Sequence, residues 1–171
     1  AKRIIWPALA DFDREANLGL DFKAHTGEVR LPNGSTILLQ GAGSIREVDK
    51  GRGKKYPLVA IDEAQVFSHQ IFNYMTLEVF GPAVMDYVGT IMVTGTPNAA
   101  CVGPFYDICH GKPGWSLHSW TVTDNERLFD ARPDYVRKHG GYLEAIDAYL
   151  KDIRIERGWK DDHPGYLREY L

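Results

Sequence analysis

Two adjacent carboxylates end an apolar segment of the sequence. Residues 56–65 read YPLVAIDEAQ, so the apolar run 57–61 leads directly into Asp62 and Glu63. The run is too short for a helix and too uniformly apolar for a half-exposed strand, and it predicts a strand buried on both faces. In an open parallel sheet, ligands bind outside the carboxyl ends of the strands. The two carboxylates therefore stand where a ligand is expected.

Hydrolysis of a nucleoside triphosphate is a reaction that uses two acids in such a place. Asp62 would hold Mg²⁺, in part through its water shell, while Glu63 would orient and polarise the attacking water. Because neighbouring residues of an extended chain point to opposite sides, each carboxylate can serve a different group. The alternative is a strand that ends in two solvated acids.

A second apolar run, at residues 87–95, ends in small polar residues. A helical pattern at about 69–80 separates the two runs, so the order strand, helix, strand predicts a parallel βαβ unit with a right-handed crossover. Hydroxyl side chains and a glycine at a strand end let the backbone approach a γ-phosphate, although Gly-Thr-Pro is also an ordinary turn. The residues in question are Thr94, Gly95, Thr96 and Pro97.

The rest of the pattern predicts the elements around this unit. A helix is expected at 2–17, a β-hairpin at 28–40 with its turn at Pro32, Asn33 and Gly34, and a short helical turn followed by a loop at 44–56. A third strand is expected at 116–123, and a helix whose apolar face includes Tyr142, Ile146, Tyr149, Leu150 and Ile153 is bounded by Gly140-Gly141 and Gly158.

Composition limits the kinds of partner. The 171 residues are 44% hydrophobic and 25% charged, which is typical of a globular chain. A net charge of −3 gives no overall attraction to nucleic acid or to an anionic membrane, so such a partner must meet a local patch. Cys101, Cys109 and His110 are too few for an ordinary zinc site, and two free thiols in a reducing compartment is the simpler interpretation.

The motifs LVAIDEAQ and, about thirty residues later, MVTGTPN resemble the Walker B and coupling motifs of a known family. The family is the ATPase domain of tailed-phage terminase large subunits. The segments LPNGSTILLQGA, GRGKKYPLVAIDEAQ, VTGTPN, TDN and PGYLREYL follow in the order that such proteins show. The resemblance implies part of a P-loop NTPase, RecA-like, parallel-sheet core with a β-hairpin and a C-terminal helical segment.

The resemblance also implies roles for particular residues. Glu63 and Arg52 would be catalytic and Asp62 would hold the metal, while the nucleotide would contact Asp62, Gln65, Thr94, Gly95 and Thr96. Arg52 lies between Gly51 and Gly53, where the family carries an arginine proposed to reach the phosphates of a neighbouring subunit. A competing use of this cluster is contact with the DNA backbone through Lys50, Lys54 and Lys55. Asn98 and Asn125 would line the cleft or cap turns.

The implied function is ATP-driven packaging of double-stranded DNA into a phage prohead, in the host cytoplasm at the portal vertex. ATP and Mg²⁺ are the implied cofactors. The implied partners are the portal protein, the small terminase subunit and further copies of the chain in a homo-oligomeric ring, and no membrane is involved. Residues 1–125 would belong to the ATPase core and residues 126–171 to a helical subdomain that leads to a nuclease domain. The alternatives are a fragment of a helicase-like DNA translocase and a non-catalytic DNA-binding or assembly module.

One expected motif is missing from the sequence. The Walker A pattern G-x-x-x-x-G-K-[ST] does not occur, and GRGKK does not replace it, since Val48 stands five residues before Gly53 and Lys55 follows Lys54. We therefore expect a fragment that begins just after the Walker A segment and stops near the start of the nuclease domain. By itself it is predicted to be inactive.

Overall fold

The computed structural model describes residues 2–96, 100 and 102–170 and shows a mixed α/β fold. The α-helices are α1 (Lys2–Ala16), α2 (Ile45–Asp49), α3 (His69–Asn73), α4 (Phe80–Met85), α5 (Pro104–Cys109), α6 (Pro133–His139), α7 (Tyr142–Arg157) and α8 (Pro164–Tyr170). The strands are β1 (Asp21–Lys23), β2 (Glu28–Arg30), β3 (Thr36–Leu38), β4 (Leu58–Ile61) and β5 (Thr90–Val93). Tighter or wider helical turns occur at Ala64–Val66 (3₁₀), Tyr74–Val79 (π) and Val122–Asp124 (3₁₀).

The chain divides into two compact units. Unit 1 comprises Ala1–Val59 and Gln70–Ile91, and unit 2 comprises Ala60–His69 and Met92–Leu171. Strands β1, β2 and β3 form a three-stranded antiparallel sheet in unit 1, while β4 and β5 form a two-stranded parallel sheet. The parallel pairing of β4 and β5 is therefore confirmed. The domain boundary predicted at residues 125 and 126 stays a prediction.

The predicted hairpin is confirmed in unit 1. Strands β2 and β3 pair with Val29 opposite Ile37, and Gly34 has the positive φ of 86° that the turn between them requires. The Asn33 side chain accepts a hydrogen bond from the amide of Ser35 at 2.9 Å, which closes the turn locally. An additional strand, β1, pairs with β2 and was not predicted.

The helix predicted at 69–80 forms but has an irregular centre. Its backbone runs through α3 into the π-helical turn Tyr74–Val79 and then into α4. The Thr76 hydroxyl donates to the carbonyl of Phe72 at 2.9 Å. A Cβ on Gly81 would come within 2.5 Å of the Thr76 carbonyl oxygen, so the wide turn needs glycine at that position. Residue patterns of helical period do not reveal such a turn.

Strand β4 is buried on one side only, which corrects the prediction of burial on both faces. Ile61 is 6% exposed, whereas Leu58 is 55% exposed, and in β5 Met92 is 47% exposed. Successive side chains of a strand point to opposite faces, so an apolar run places half of its residues on each face whether or not that face is covered. The described part of the chain covers one face.

The third strand predicted at 116–123 does not form. Instead, Thr121 begins the 3₁₀ turn Val122–Asp124 through a capping box. The Asp124 carboxylate accepts a hydrogen bond from the Thr121 amide at 2.6 Å, and the Thr121 hydroxyl accepts one from the Thr123 amide at 3.3 Å. Local side-chain bonds of this kind satisfy the backbone and compete with a strand ladder.

The predicted C-terminal helix is confirmed as α7, and it organises the core of unit 2. Gly158 ends the helix in a left-handed conformation with φ 64°. Ile146 is 1% exposed and Leu150 is 5% exposed, and both belong to a cluster with Phe129, Ala145 and Tyr166. Tyr142 and Tyr149 pack against this cluster, so the apolar face read from the sequence is the buried one.

Truncation of Ile146 tests this core. Ile146→Ala should lower the free energy of unfolding by about 2–5 kcal/mol because it removes buried methyl groups and leaves a cavity. The matched control is Ile155→Ala on the same helix, where the side chain is 69% exposed and the change should cost under about 1 kcal/mol. Urea denaturation followed by circular dichroism measures both. Equal losses in the two variants would show that Ile146 is not a core residue.

Candidate active site

The ends of β4 and β5 meet in unit 2. The Thr94 hydroxyl donates a hydrogen bond to Asp62 Oδ1 at 2.7 Å. The backbone adds two more bonds at the same place, since the Thr94 amide donates to the Ile61 carbonyl and the Ala64 amide donates to the Thr94 carbonyl, both at 2.9 Å. The parallel pairing of the two strands therefore brings their polar ends together, and the roles of the residues stay predictions.

Glu63 has an unusual backbone conformation. Its φ of 54° and ψ of 44° lie in the left-handed helical region, where a residue with a side chain is strained by about 1–3 kcal/mol. The residue begins the turn Ala64–Val66, and the Val66 amide donates to its carbonyl at 3.1 Å. Glu63 is therefore not part of the extended strand, and the expectation that the side chains of Asp62 and Glu63 point to opposite sides stays a prediction.

Gln65 supports the Glu63 side chain. Its Nε2 donates a hydrogen bond to Glu63 Oε2, so the amide and the exposed carboxylate form a local pair. Its other polar atom, Oε1, is buried, and the described residues provide no hydrogen-bond partner for it. Gln65 is thus half-buried and fixed between the Glu63 carboxylate and the segment after β5.

Position 95 has no space for a side chain, because the segment after β5 lies close to Gln65. A Cβ built on Gly95 would overlap Gln65 Oε1 and would lie 3.2 Å from the Ala64 amide nitrogen. Gly95 is absent from the residues with positive φ, so the constraint is the close approach and not the backbone conformation. Thr96 is half-buried and follows directly. Pro97, Asn98 and Cys101 lie outside the described residues.

Arg52 belongs to unit 1 and is held by groups of that unit. Its Nε donates to Asp49 Oδ1 and its Nη2 donates to Tyr74 Oη, both at 2.9 Å, and its Nη1 donates to the Glu78 carbonyl at 3.3 Å. The Tyr74 hydroxyl in turn donates to Asp49 Oδ1 at 2.8 Å. Gly51 is buried against Phe80, whose ring leaves no space for a Cβ there.

The charges of this network affect each other. The hydrogen bonds from Arg52 and then from Tyr74 lower the pKa of Asp49 below its ordinary value of 3.8. The same bond to Asp49, followed by the contact with Tyr74, raises the pKa of Arg52. The guanidinium is therefore a fixed positive charge, half exposed, in an arrangement made within one chain.

Sequence reasoning missed both partners of Arg52. Asp49 lies three residues before it, and this spacing was a usable signal, because such residues are neighbours on a helical turn. Tyr74 lies 22 residues away along the chain and comes close through the π-helical turn, for which the sequence carries no signal that we recognise.

Asn125, Cys109 and several aromatic and histidine side chains have structural surroundings. Asn125 Oδ1 accepts a hydrogen bond from the Arg127 amide at 3.2 Å. This contact caps a turn, which is one of the two roles expected for Asn125. Trp6 packs edge-on against Phe22, and Trp159 stacks on His163. His69 Nε2 lies 3.4 Å from Asp107 Oδ2, both exposed. Burial raises the pKa of the Cys109 thiol, which makes it a weaker nucleophile at neutral pH.

Asp62 is the candidate metal ligand of this site. Within the described ranges, no group of three or more His, Cys, Asp or Glu side chains is arranged to bind an ion. Mg²⁺ in phosphate-transferring sites takes one or two carboxylates and completes its shell with waters and phosphate oxygens. Asp62 fits this requirement, since Thr94 occupies Oδ1 and the side chain is exposed.

No family model, curated protein or solved structure matches the chain. Among the described residues, no helix has the length and apolar character needed to cross a membrane.

The contact between Gly95 and Gln65 can be tested in this chain. Gly95→Ala should lower the free energy of unfolding by about 1–3 kcal/mol because the new methyl group displaces the Gln65 amide. In a Gln65→Ala background the cost should shrink by about 1 kcal/mol or more, since the obstruction is gone. Val66→Ala is the matched background, because Val66 lies in the same turn and is 69% exposed. The contact is contradicted if both backgrounds reduce the cost of Gly95→Ala, or if neither background does.

The titration of Asp49 tests the Arg52 network. Arg52→Ala should raise the pKa of Asp49 toward 3.8, while Lys55→Ala, which breaks the separate ion pair with Asp86, should leave it unchanged. Because the folded pKa is the lower one, the interaction stabilises the fold above the unfolded value and is lost as pH falls through the folded value. NMR of the carboxyl carbon measures the shift. An unchanged Asp49 pKa in Arg52→Ala would show that the two groups do not interact.

Proposed function

We propose that this chain is part of the ATPase motor of a phage-type terminase large subunit. The observation that carries the proposal is the Asp62–Thr94 hydrogen bond at the ends of two parallel strands, with Glu63 as the next residue. This is the edge of a parallel sheet at which ligands bind. The motor would couple ATP hydrolysis to the packaging of double-stranded DNA.

The metal is assigned to Asp62. When bound, Mg²⁺ supplies positive charge that neutralises the oxygens of the transferred phosphoryl group. Asp62 offers a carboxylate whose position is fixed by the Thr94 hydroxyl at 2.7 Å, so one oxygen remains for the ion or its water shell. The Thr94 hydroxyl thereby orients the metal-binding side chain.

Glu63 is assigned to the attacking water. Its carboxylate is exposed at the strand end, and a general base needs to lie within hydrogen-bond reach of the water that it polarises. The Gln65 amide donates to one carboxylate oxygen, which restricts rotation of the side chain and leaves the other oxygen for water. The left-handed backbone of Glu63 supports the assignment, because strained conformations of this kind cluster at active sites.

Two further groups complete the proposed site. Gly95 lets the segment after β5 approach closely, so that Gly95 and Thr96 can contact the terminal phosphate. Arg52 would spread positive charge over the developing phosphate charge of a nucleotide bound to a neighbouring subunit, and such arginines contribute about 10³–10⁵ in rate. To do so, the guanidinium would release the Asp49 carboxylate and donate its hydrogen bonds to a phosphate.

The proposal extends to the assembly. The P-loop that holds the triphosphate would come from sequence outside these 171 residues, since the pattern is not found within them. The partners would be duplex DNA, the portal protein, the small terminase subunit and further copies of the chain in a ring, in the cytoplasm of the host.

Substitution of Glu63 tests the function in the motor protein that contains this segment together with its P-loop. Glu63→Gln should lower kcat for ATP hydrolysis by about 10²–10⁴-fold because it removes the base, while the Kd for ATP changes little. Glu156→Gln makes the same change at an exposed position on α7 and should leave turnover unaltered. A phosphate-release assay and calorimetry provide the two readouts.

Two results would contradict the proposal. One is an absence of ATP hydrolysis in the wild-type motor, and the other is turnover that survives within tenfold in Glu63→Gln. The 171-residue chain by itself serves as the negative control, and we expect calorimetry to detect no micromolar binding of Mg-ATP to it.

A further inference from the structure

The π-helical turn Tyr74–Val79 in unit 1 departs from regular helix and is maintained by particular residues. The Thr76 hydroxyl donates to the Phe72 carbonyl at 2.9 Å, and the absence of a side chain at Gly81 leaves space for the Thr76 carbonyl oxygen. Single π-helical turns inside α-helices occur frequently at functional sites. The polar groups that this turn presents to the rest of unit 1 are therefore candidates for a role beyond packing.

Two polar groups of the π-helical turn hold the Arg52 guanidinium. Arg52 Nη2 donates to the Tyr74 hydroxyl at 2.9 Å, and Nη1 donates to the Glu78 carbonyl at 3.3 Å. The guanidinium carbon also lies 5.5 Å from the centre of the Tyr74 ring, within the range of a cation–π contact. The turn thus contacts both terminal nitrogens of the guanidinium.

These two acceptors differ in charge from the third partner of Arg52. The Tyr74 hydroxyl and the Glu78 carbonyl are neutral, so their hydrogen bonds fix the guanidinium without cancelling its charge. Asp49 is an anion, and its bond with Arg52 Nε at 2.9 Å forms an ion pair. A phosphate that approaches Arg52 therefore competes with Asp49 and not with the π-helical turn.

The Tyr74 hydroxyl bonds both members of this ion pair. It accepts from Arg52 Nη2 and donates to Asp49 Oδ1 at 2.8 Å. A phenolic hydroxyl can donate and accept at the same time. When Arg52 and Asp49 separate, each of them can therefore keep a hydrogen bond to Tyr74, which lowers the cost of the separation and holds both side chains in place.

Arg52 retains donors for a ligand while it is held. An arginine side chain has five N–H groups, and three of them are bound to Asp49, Tyr74 and Glu78. Within the described residues, one N–H on each terminal nitrogen has no acceptor, and the side chain is 50% exposed. Paired N–H groups of a guanidinium match two oxygens of a phosphate.

We propose that Tyr74 is a positioning residue for Arg52, and that the π-helical turn holds the guanidinium while Asp49 gives way to a phosphate. This inference rests on the proposed function, in which Arg52 reaches a nucleotide bound to a neighbouring subunit. Tyr74 acts only through Arg52, by keeping the guanidinium in place once its charge is released. Such placement matters because an error of about 1 Å in a catalytic group can cost about 10²-fold in rate.

Tyr74→Phe in the motor protein with its P-loop tests the positioning role. The variant keeps the ring and removes the hydroxyl, so kcat for ATP hydrolysis should fall about 5–50-fold while KM for ATP stays within about twofold. Tyr87→Phe makes the same change at an exposed tyrosine of unit 1 and should leave kcat within about twofold of wild type. A wild-type kcat in Tyr74→Phe would overturn the proposal.

A double variant separates positioning from a general loss of structure. Arg52→Ala should lower kcat by about 10³-fold or more, and Arg52→Ala/Tyr74→Phe should lower it no further, because Tyr74 has no guanidinium left to position. A further loss of about fivefold or more in the double variant would overturn the proposal, since Tyr74 would then act independently of Arg52.

The hold of the π-helical turn on Arg52 can be measured without nucleotide in the 171-residue chain. The ¹⁵N order parameter of Arg52 Nε should stay above about 0.7 in Asp49→Ala, and it should fall below about 0.6 in Asp49→Ala/Tyr74→Phe. Equal mobility of Nε in the two variants would overturn the proposal, because Tyr74 would then not retain the guanidinium after Asp49 is removed.

The outcomes distinguish this inference from the proposed function. If Glu63→Gln abolishes ATP hydrolysis but Tyr74→Phe turns over like wild type, the positioning role fails and the proposed function stands. If the wild-type motor has no ATP hydrolysis, or if turnover survives in Glu63→Gln, the proposed function fails and the positioning role fails with it.

Discussion

The hydrogen bond from the Thr94 hydroxyl to Asp62 joins the ends of two parallel strands, and the candidate site depends on it. A carboxylate at the end of an unpaired strand rotates freely in solvent. Here the Thr94 hydroxyl binds the Asp62 side chain, and two backbone bonds at 2.9 Å hold the adjoining residues of the two strand ends together. Everything assigned to the site, from the metal to the water, is placed by reference to that fixed carboxylate.

The residues next to Asp62 determine the shape of the site around its carboxylate. Glu63 adopts a left-handed conformation that costs free energy, and Gln65 holds its carboxylate from one side. Gly95 leaves space for the Gln65 amide, so the conformation of one strand end depends on the absence of a side chain at the other. The backbone turn at Glu63, its hydrogen bond with Gln65 and the close approach of Gly95 are therefore parts of one local arrangement.

The parts predictable from sequence were those with a local cause. The hairpin follows from turn residues at 32–34, and the strand ends follow from apolar runs that stop at polar residues. The strand expected at 116–123 failed because the capping box of Thr121 and Asp124 satisfies the backbone locally. The contact between Tyr74 and Arg52 could not be predicted from the sequence, because a π-helical turn and a separation of 22 residues leave no periodic pattern.

The most direct test of the account places a paramagnetic ion at the site. Mn²⁺ accepts the oxygen ligands that suit Mg²⁺ and broadens the NMR signals of nearby nuclei. In the motor protein with its P-loop, saturating Mn²⁺ and ATP should broaden the amide signals of Asp62, Thr94 and Gly95 beyond detection, while those of α7 remain sharp. Sharp signals from Asp62 and Thr94 with the nucleotide bound would contradict the account.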